Sequence, residues 1–143
     1  MMSSRLETLA HYTHDSIEGY RKARERAESP AIASALARRV EERETTLLRL
    51  NDALAEQGHE RVASGSALGT FHKIWGSVLA ALGQNDNAVI NHVEEGEQFL
   101  RDRFEEGLKD KELVPREREV IARCLKEISE SASFAQQIEP VTR

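Results

Sequence analysis

Cysteine occurs once in the 143 residues, at Cys124, so no disulfide can form within the chain and no cysteine-rich zinc or iron–sulfur site can be built from it. Proline is equally scarce, with three residues, and glycine contributes only eight. That scarcity excludes collagen-like and Pro/Gly-rich disordered classes. Aromatic residues make up 5% of the chain, and no run approaches the roughly 18 apolar residues that a membrane span needs. Charge of one sign is lacking too: 20 basic and 25 acidic residues are interspersed, for a net charge of -5. Such a surface gives no argument for nucleic acid or a membrane as partner. No apolar segment follows Met1-Met2-Ser3-Ser4-Arg5, which predicts no signal peptide and a cytoplasmic address. P-loop, dinucleotide-glycine and serine-nucleophile signatures are absent.

What is present is helical period. Hydrophobic residues at 39% and charged residues at 31% fit a soluble helical protein, and the length fits a single domain over residues 1–143. Helix is expected over about 5–28, opened by the capping box Ser4-x-x-Glu7, with Leu6, Leu9, Ala10, Thr13, Ile17, Tyr20 and Ala27 inward. Ser29-Pro30 reads as a stop and a new start. The second helix, about 31–57, turns Ile32, Leu36, Val40, Leu47, Leu50 and Leu54 inward and stops at Gly58. A long connection contains its own helix, about 67–82, with Ser66 as cap and Gly83 as stop. Asn85 or Asp86 caps a helix over about 86–107, and Pro115 opens the last, about 115–138, which buries Val120, Ile121, Cys124, Ile128 and Ala135.

The loop between the first two helices is very short, so they must form an antiparallel hairpin, and the last two form another. Two hairpins joined by a long crossover carrying an additional helix predict an all-α, ferritin-like four-helix bundle.

One acid breaks the pattern. Glu97 falls on the apolar stripe of Val89, Ile90, Val93, Leu100 and Phe104, where an unpaired anion is costly. Two readings compete. With Glu94, three residues earlier on the same face, it could grip iron or manganese through hard oxygen ligands. Alternatively Arg43, inward between Val40 and Leu47, could neutralise Glu97 in a buried ionic cluster. His72, beside Phe71 and Trp75, suits either a ligand or general base, or a part-buried ring hydrogen-bonded to a carbonyl or glutamate. His11, His14 and Glu18 line up on a helix face away from the stripe, and read as a solvated face able to take up metal only adventitiously. His92 and Glu95 form a similar flanking pair, Cys124 reads as an inert small hydrophobe, and Gly65 and Gly69 as turn and close-approach residues.

Three segments carry a resemblance. Ser64-Gly65-Ser66-Ala67-Leu68-Gly69-Thr70-Phe71-His72-Lys73-Ile74-Trp75, then Val93-Glu94-Glu95-Gly96-Glu97, and the earlier Asp15-Ser16-Ile17-Glu18-Gly19-Tyr20, resemble a bacterial ferritin-like family of uncharacterised function. The likeness runs from about Leu6 to Ile138. It implies a ferritin-like bundle and, where metal is held, a di-metal interior built from Glu and Glu-x-x-His. No helix interior here carries Glu-x-x-His, and Ile17 and Ala132 stand where the family pattern has an inward Glu and a His. The lost ligands and the ready ionic partner for Glu97 predict a non-catalytic bundle with a degenerate metal site, acting in binding or assembly, with no cofactor; exposed aliphatic edges on long helices make a homo-oligomer possible. The alternative that the resemblance implies is an iron- or manganese-dependent oxidoreductase or iron-handling protein, with Glu94, Glu97 and His72 as ligands and Glu18 assisting. A protein partner cannot be named from these residues.

Overall fold

The computed structural model describes residues 4–66 and 69–142, without side-chain placement for residues 4, 70 and 139–142. Among the described residues it contains six helices and no strand: α1 (Ser4–Arg26), α2 (Pro30–Glu56), α3 (Gly69–Ala81), α4 (Asp86–Leu108), α5 (Pro115–Glu130) and α6 (Phe134–Thr142).

The boundaries follow local chemistry. Ser29 Oγ accepts the Ile32 amide at 3.3 Å, and Pro30 opens α2 with its φ already helical. Gly58 (φ 83°) and Gly83 (φ 79°) take the left-handed conformation that ends α2 and the turn after α3. Asn85 Oδ1 caps α4 through the Ala88 amide at 3.1 Å. Arg118 covers the other end of α4, donating to the Leu108 and Asp110 carbonyls. Ser4 is already helical, and its capping side chain lies outside the described residues, as do Ala67 and Leu68, where the crossover helix is expected to begin.

The last helix does not run unbroken to 138. Ser131 is extended (φ -61°, ψ 142°), and Ser133 restarts the chain as α6 by a reciprocal pair of bonds, Ser133 Oγ with the Gln136 amide and Gln136 Oε1 with the Ser133 amide. This is the Ser-x-x-Gln capping box, which outweighs the apolar period through Ala135.

α1 packs along α2 and beside α4, and α5 packs on α2 and α4, so each of these four longest helices touches two others. α3 lies against α4 and α1, while α6 lies against α2 and α4. The interior has two apolar regions. One, at the α1–α2 turn end, gathers Tyr20, Ile32, Leu36, Val78, Val93 and Phe134. The other gathers Leu6, Leu50, Leu54, Leu100, Phe104 and Ile121. The few aromatics are concentrated: Tyr12, Tyr20, Phe71, Trp75 and Phe99 meet where α3 joins α1 and α4, with Phe71 and Phe99 stacked 4.8 Å apart. No helix is long and apolar enough to cross a membrane among the described residues.

Cys124 is fully buried in α5, and burial pushes its thiol up to about 12, from an ordinary value of 9.0. A thiol pKa raised in the folded state contributes stability that is complete below about pH 9 and declines as pH climbs toward about 12. We therefore predict no reaction of native protein with Ellman's reagent at pH 8 and one thiol released on denaturation. Rapid native labelling would contradict the placement.

Candidate functional site

Two polar arrangements interrupt this apolar architecture, one inside the bundle and one on its flank.

In the interior, Glu97 is 3% exposed, on the stripe where the spacing puts it. Its Oε2 accepts a short hydrogen bond from the Tyr20 hydroxyl, and Arg39 Nε lies 4.0 Å from the same oxygen. The guanidinium beside Glu97 is thus Arg39, not Arg43 as expected. Arg43, one turn further along α2 and 1% exposed, donates instead to Thr46 Oγ1 at 3.1 Å and Ser131 Oγ at 3.3 Å, and lies 3.7 Å from Glu42. Arg39, 2% exposed, also pairs with Glu42 at 2.9 Å and donates to the Ala132 carbonyl at 3.1 Å. Gln137 of α6 completes the layer, donating to Glu42 Oε2 at 3.1 Å.

Burial, and then the neighbouring Glu97 charge, push the Tyr20 hydroxyl well above its usual pKa, so it stays protonated and donates. Burial works against the Arg39 charge, but the neighbouring Glu97 and Glu42 carboxylates outweigh it, and its pKa is raised. Two guanidiniums and two carboxylates thereby hold one another between the two apolar regions, and both arginines also fasten the α5–α6 turn.

The expected metal ligands do not come together. Glu94 Oε2 accepts the Phe134 amide at 2.9 Å, which places its charge at the N-terminus of α6 rather than beside Glu97. His72 is not packed on the apolar side of its helix. Its side chain is 58% exposed, with Nε2 3.7 Å from Asp15 Oδ1. Glu18 pairs with Arg21 at 3.6 Å on the flank. Among the described residues no three His, Cys, Asp or Glu side chains form a group able to hold a metal ion. Ile17 is buried in apolar packing, and Ala132 lies in the turn after α5. Glu-x-x-His spacing occurs once, at Glu56–His59, but it straddles Gly58 beyond the end of α2, and Glu56 is bound to Arg116. These donors do not fit a di-metal centre.

On the flank, the motif segments 15–20 and 64–75 explain one another. Asp15, buried on α1, accepts from the Ser66 amide at 3.1 Å and from the Ser66 hydroxyl, and so ties the Ser-Gly-Ser segment to α1. Gly65 is required by that approach: a Cβ there would sit on Asp15 Oδ1 and 3.1 Å from its Cγ. His11 Nδ1 bonds the Ser64 carbonyl at 2.7 Å. From the other side Asn51 holds Val62 by both its amide and its carbonyl, at 2.7 and 3.1 Å. Gly19 lets α1 close on Trp75, whose ring meets Tyr20 edge-on with centroids 4.6 Å apart. The face bearing His11, His14 and Glu18 is therefore half-buried beneath this strap rather than fully solvated.

Removing the Asp15 carboxylate should release the strap. Asp15→Ala removes the carboxylate to which the Ser66 amide and hydroxyl donate, and we expect a stability loss of about 1–3 kcal/mol. Hydrogen exchange at Val62–Ser66 should quicken by orders of magnitude more than at α5; uniform exchange across both would contradict the tie.

Between strap, α1 and α3 lies an open cleft of about 600 Å³, lined in part by His14, Glu18, Lys22, His72 and Trp75. The interior cluster is sealed, whereas this cleft is accessible. Sequence reasoning places Tyr20 inward and Asp15 in a motif without giving either its polar role, and does not single out Arg39. Arg39 had a legible signal, because Ile32, Leu36, Arg39, Arg43, Thr46 and Leu50 alternate four and three apart and are all buried.

No curated protein and no solved structure matches this chain. The family described as "Domain of unknown function (DUF2383)" matches residues 1–110, about three-quarters of the length, and the chain belongs to that family.

Proposed function

We propose that the protein is a non-catalytic, ferritin-like four-helix bundle that acts through binding or assembly, its interior occupied by an ionic cluster where a metal-carrying relative would keep free carboxylates. The observation that carries this reading is the engagement of Glu97 by Tyr20 and Arg39. A guanidinium this close satisfies the acid and repels a cation. The order of helices supports the ferritin-like assignment, with an α1–α2 hairpin, an α4–α5 hairpin and a crossover between them that carries α3. A cytoplasmic address and self-association go with the same reading.

The iron or manganese alternative requires Glu94, Glu97, His72 and Glu18 to converge, and they are held by separate partners. Elemental analysis tests the choice. Untagged protein exposed to iron(II) and manganese(II), then desalted, should carry well under one metal per chain, and Glu97→Gln should not change that content. Stoichiometric iron or manganese that Glu97→Gln abolishes would overturn the proposal.

A further inference from the structure

We propose that α6 is exchanged between two copies of this chain: α5 runs straight into α6, and each α6 seats on α2 and α4 of the other copy. This gives a geometry to the self-association put forward above and rests on that part of the reading alone.

The joint between α5 and α6 lacks the residues that forbid a helix to continue. α1 stops before Pro30, and Gly58 and Gly83 end α2 and the turn after α3 in the left-handed conformation. Between Pro115 and Pro140 there is no glycine and no proline. The break is made instead by Ser131 and by the reciprocal bonds of Ser133 with Gln136. At Ser131 φ is -61°, already helical, and ψ of 142° alone departs from helix. A capping box worth about 1 kcal/mol therefore holds the bend against an apolar period that runs through it.

The seat of α6 does not depend on which chain supplies it. Phe134, Gln137 and Ile138 are all buried and stand three and four apart, so they share a face whether α6 stands alone or prolongs α5. That face lies on α2 and α4, where Phe134 joins Tyr20, Ile32, Leu36 and Val93, and Gln137 donates to Glu42. Exchange keeps these side-chain contacts. It gives up the Phe134 amide bond to Glu94 and the Ser133–Gln136 bonds, and a continuous helix satisfies those amides with carbonyls four residues earlier. On a straight α5 the nine residues of α6 reach about 14 Å beyond it and carry Phe134 and Ile138 into water. The surface that fits them is the one they left, and a second copy offers it.

Sedimentation velocity of the full chain, after incubation at high concentration, should show dimer alongside monomer. Ala132→Pro should remove the dimer, because proline is accepted after the extended Ser131 but not inside a helix. Ser133→Ala weakens the bent form alone, and should raise the association constant by about tenfold or more, since both copies lose the cap. Circular dichroism checks that each variant keeps its helices. A dimer that persists in folded Ala132→Pro overturns the exchange and leaves self-association by another surface. Monomer at every concentration, in the parent and in Ser133→Ala, overturns both. Should Ala132→Pro not fold, a dimer population that Ser133→Ala fails to raise overturns the exchange by itself.

Discussion

Glu97→Ala should lower the free energy of unfolding by about 3–5 kcal/mol, the usual cost of breaking a buried ion pair from one side. The substitution removes the acceptor of the Tyr20 hydroxyl and leaves Arg39 and Arg43 with Glu42 alone to balance them. Tyr20 and both arginines are almost fully buried, so water cannot replace what is lost without opening the bundle. Removing the charges together should cost less. Arg39→Met combined with Glu97→Leu keeps the volume apolar, and is expected to recover part of the loss despite forfeiting the Arg39 bonds to Glu42 and Ala132. Urea denaturation of the parent and the two variants checks this. A single substitution costing under about 1 kcal/mol, the range of exposed pairs, would show that Glu97 is solvated.

Gly19→Ala is the second large effect, and its sign is opposite to the general rule. In a helix interior this change ordinarily stabilises by about 0.5–1 kcal/mol. Here the new methyl would lie within 2.6 Å of Trp75 Cε2 and Cγ. The ring is held against Tyr20, and an indole is too stiff to yield as a flexible side chain would. Overpacking of this kind costs about 1–3 kcal/mol. Trp75 emission should shift at the same time, because the ring can relieve the clash only by moving outward. A Gly19→Ala protein more stable than its parent would contradict the close α1–α3 approach.

Local signals carried most of the helix boundaries. Ser29-Pro30, Gly58, Gly83, Asn85 and Pro115 each act within their own turn of chain, by a side-chain cap or a backbone preference, which neighbours in space do not alter. The break before α6 was legible by the same logic in Ser133-x-x-Gln136, yet the apolar period running through Ile128 to Ala135 hid it. Period also showed that Glu97 points inward. It could not show which guanidinium reaches it. Arg39 and Arg43 share one face of α2 a single turn apart, and the choice between them depends on how far α4 is displaced along α2. That displacement is a property of tertiary packing. The strap was the least legible part, since an irregular segment has no period to read. Its path is set by Asp15, Asn51 and His11, residues whose partners lie 11 to 53 positions away.

The joint between α5 and α6 bears on where a self-sufficient folding unit ends. A polypeptide cut at residue 110 would keep the whole stretch shared with the family, yet lose Ser131, the Ala132 carbonyl, Gln137 and the Phe134 amide, and with them partners of Arg43, Arg39, Glu42 and Glu94. It would also lay bare Leu50, Leu54 and Phe104, which α5 covers with Val120, Ile121 and Cys124. The shared stretch alone would thus be an incomplete shell, since α5 and the segment through α6 supply partners to its buried charges and cover its apolar side chains.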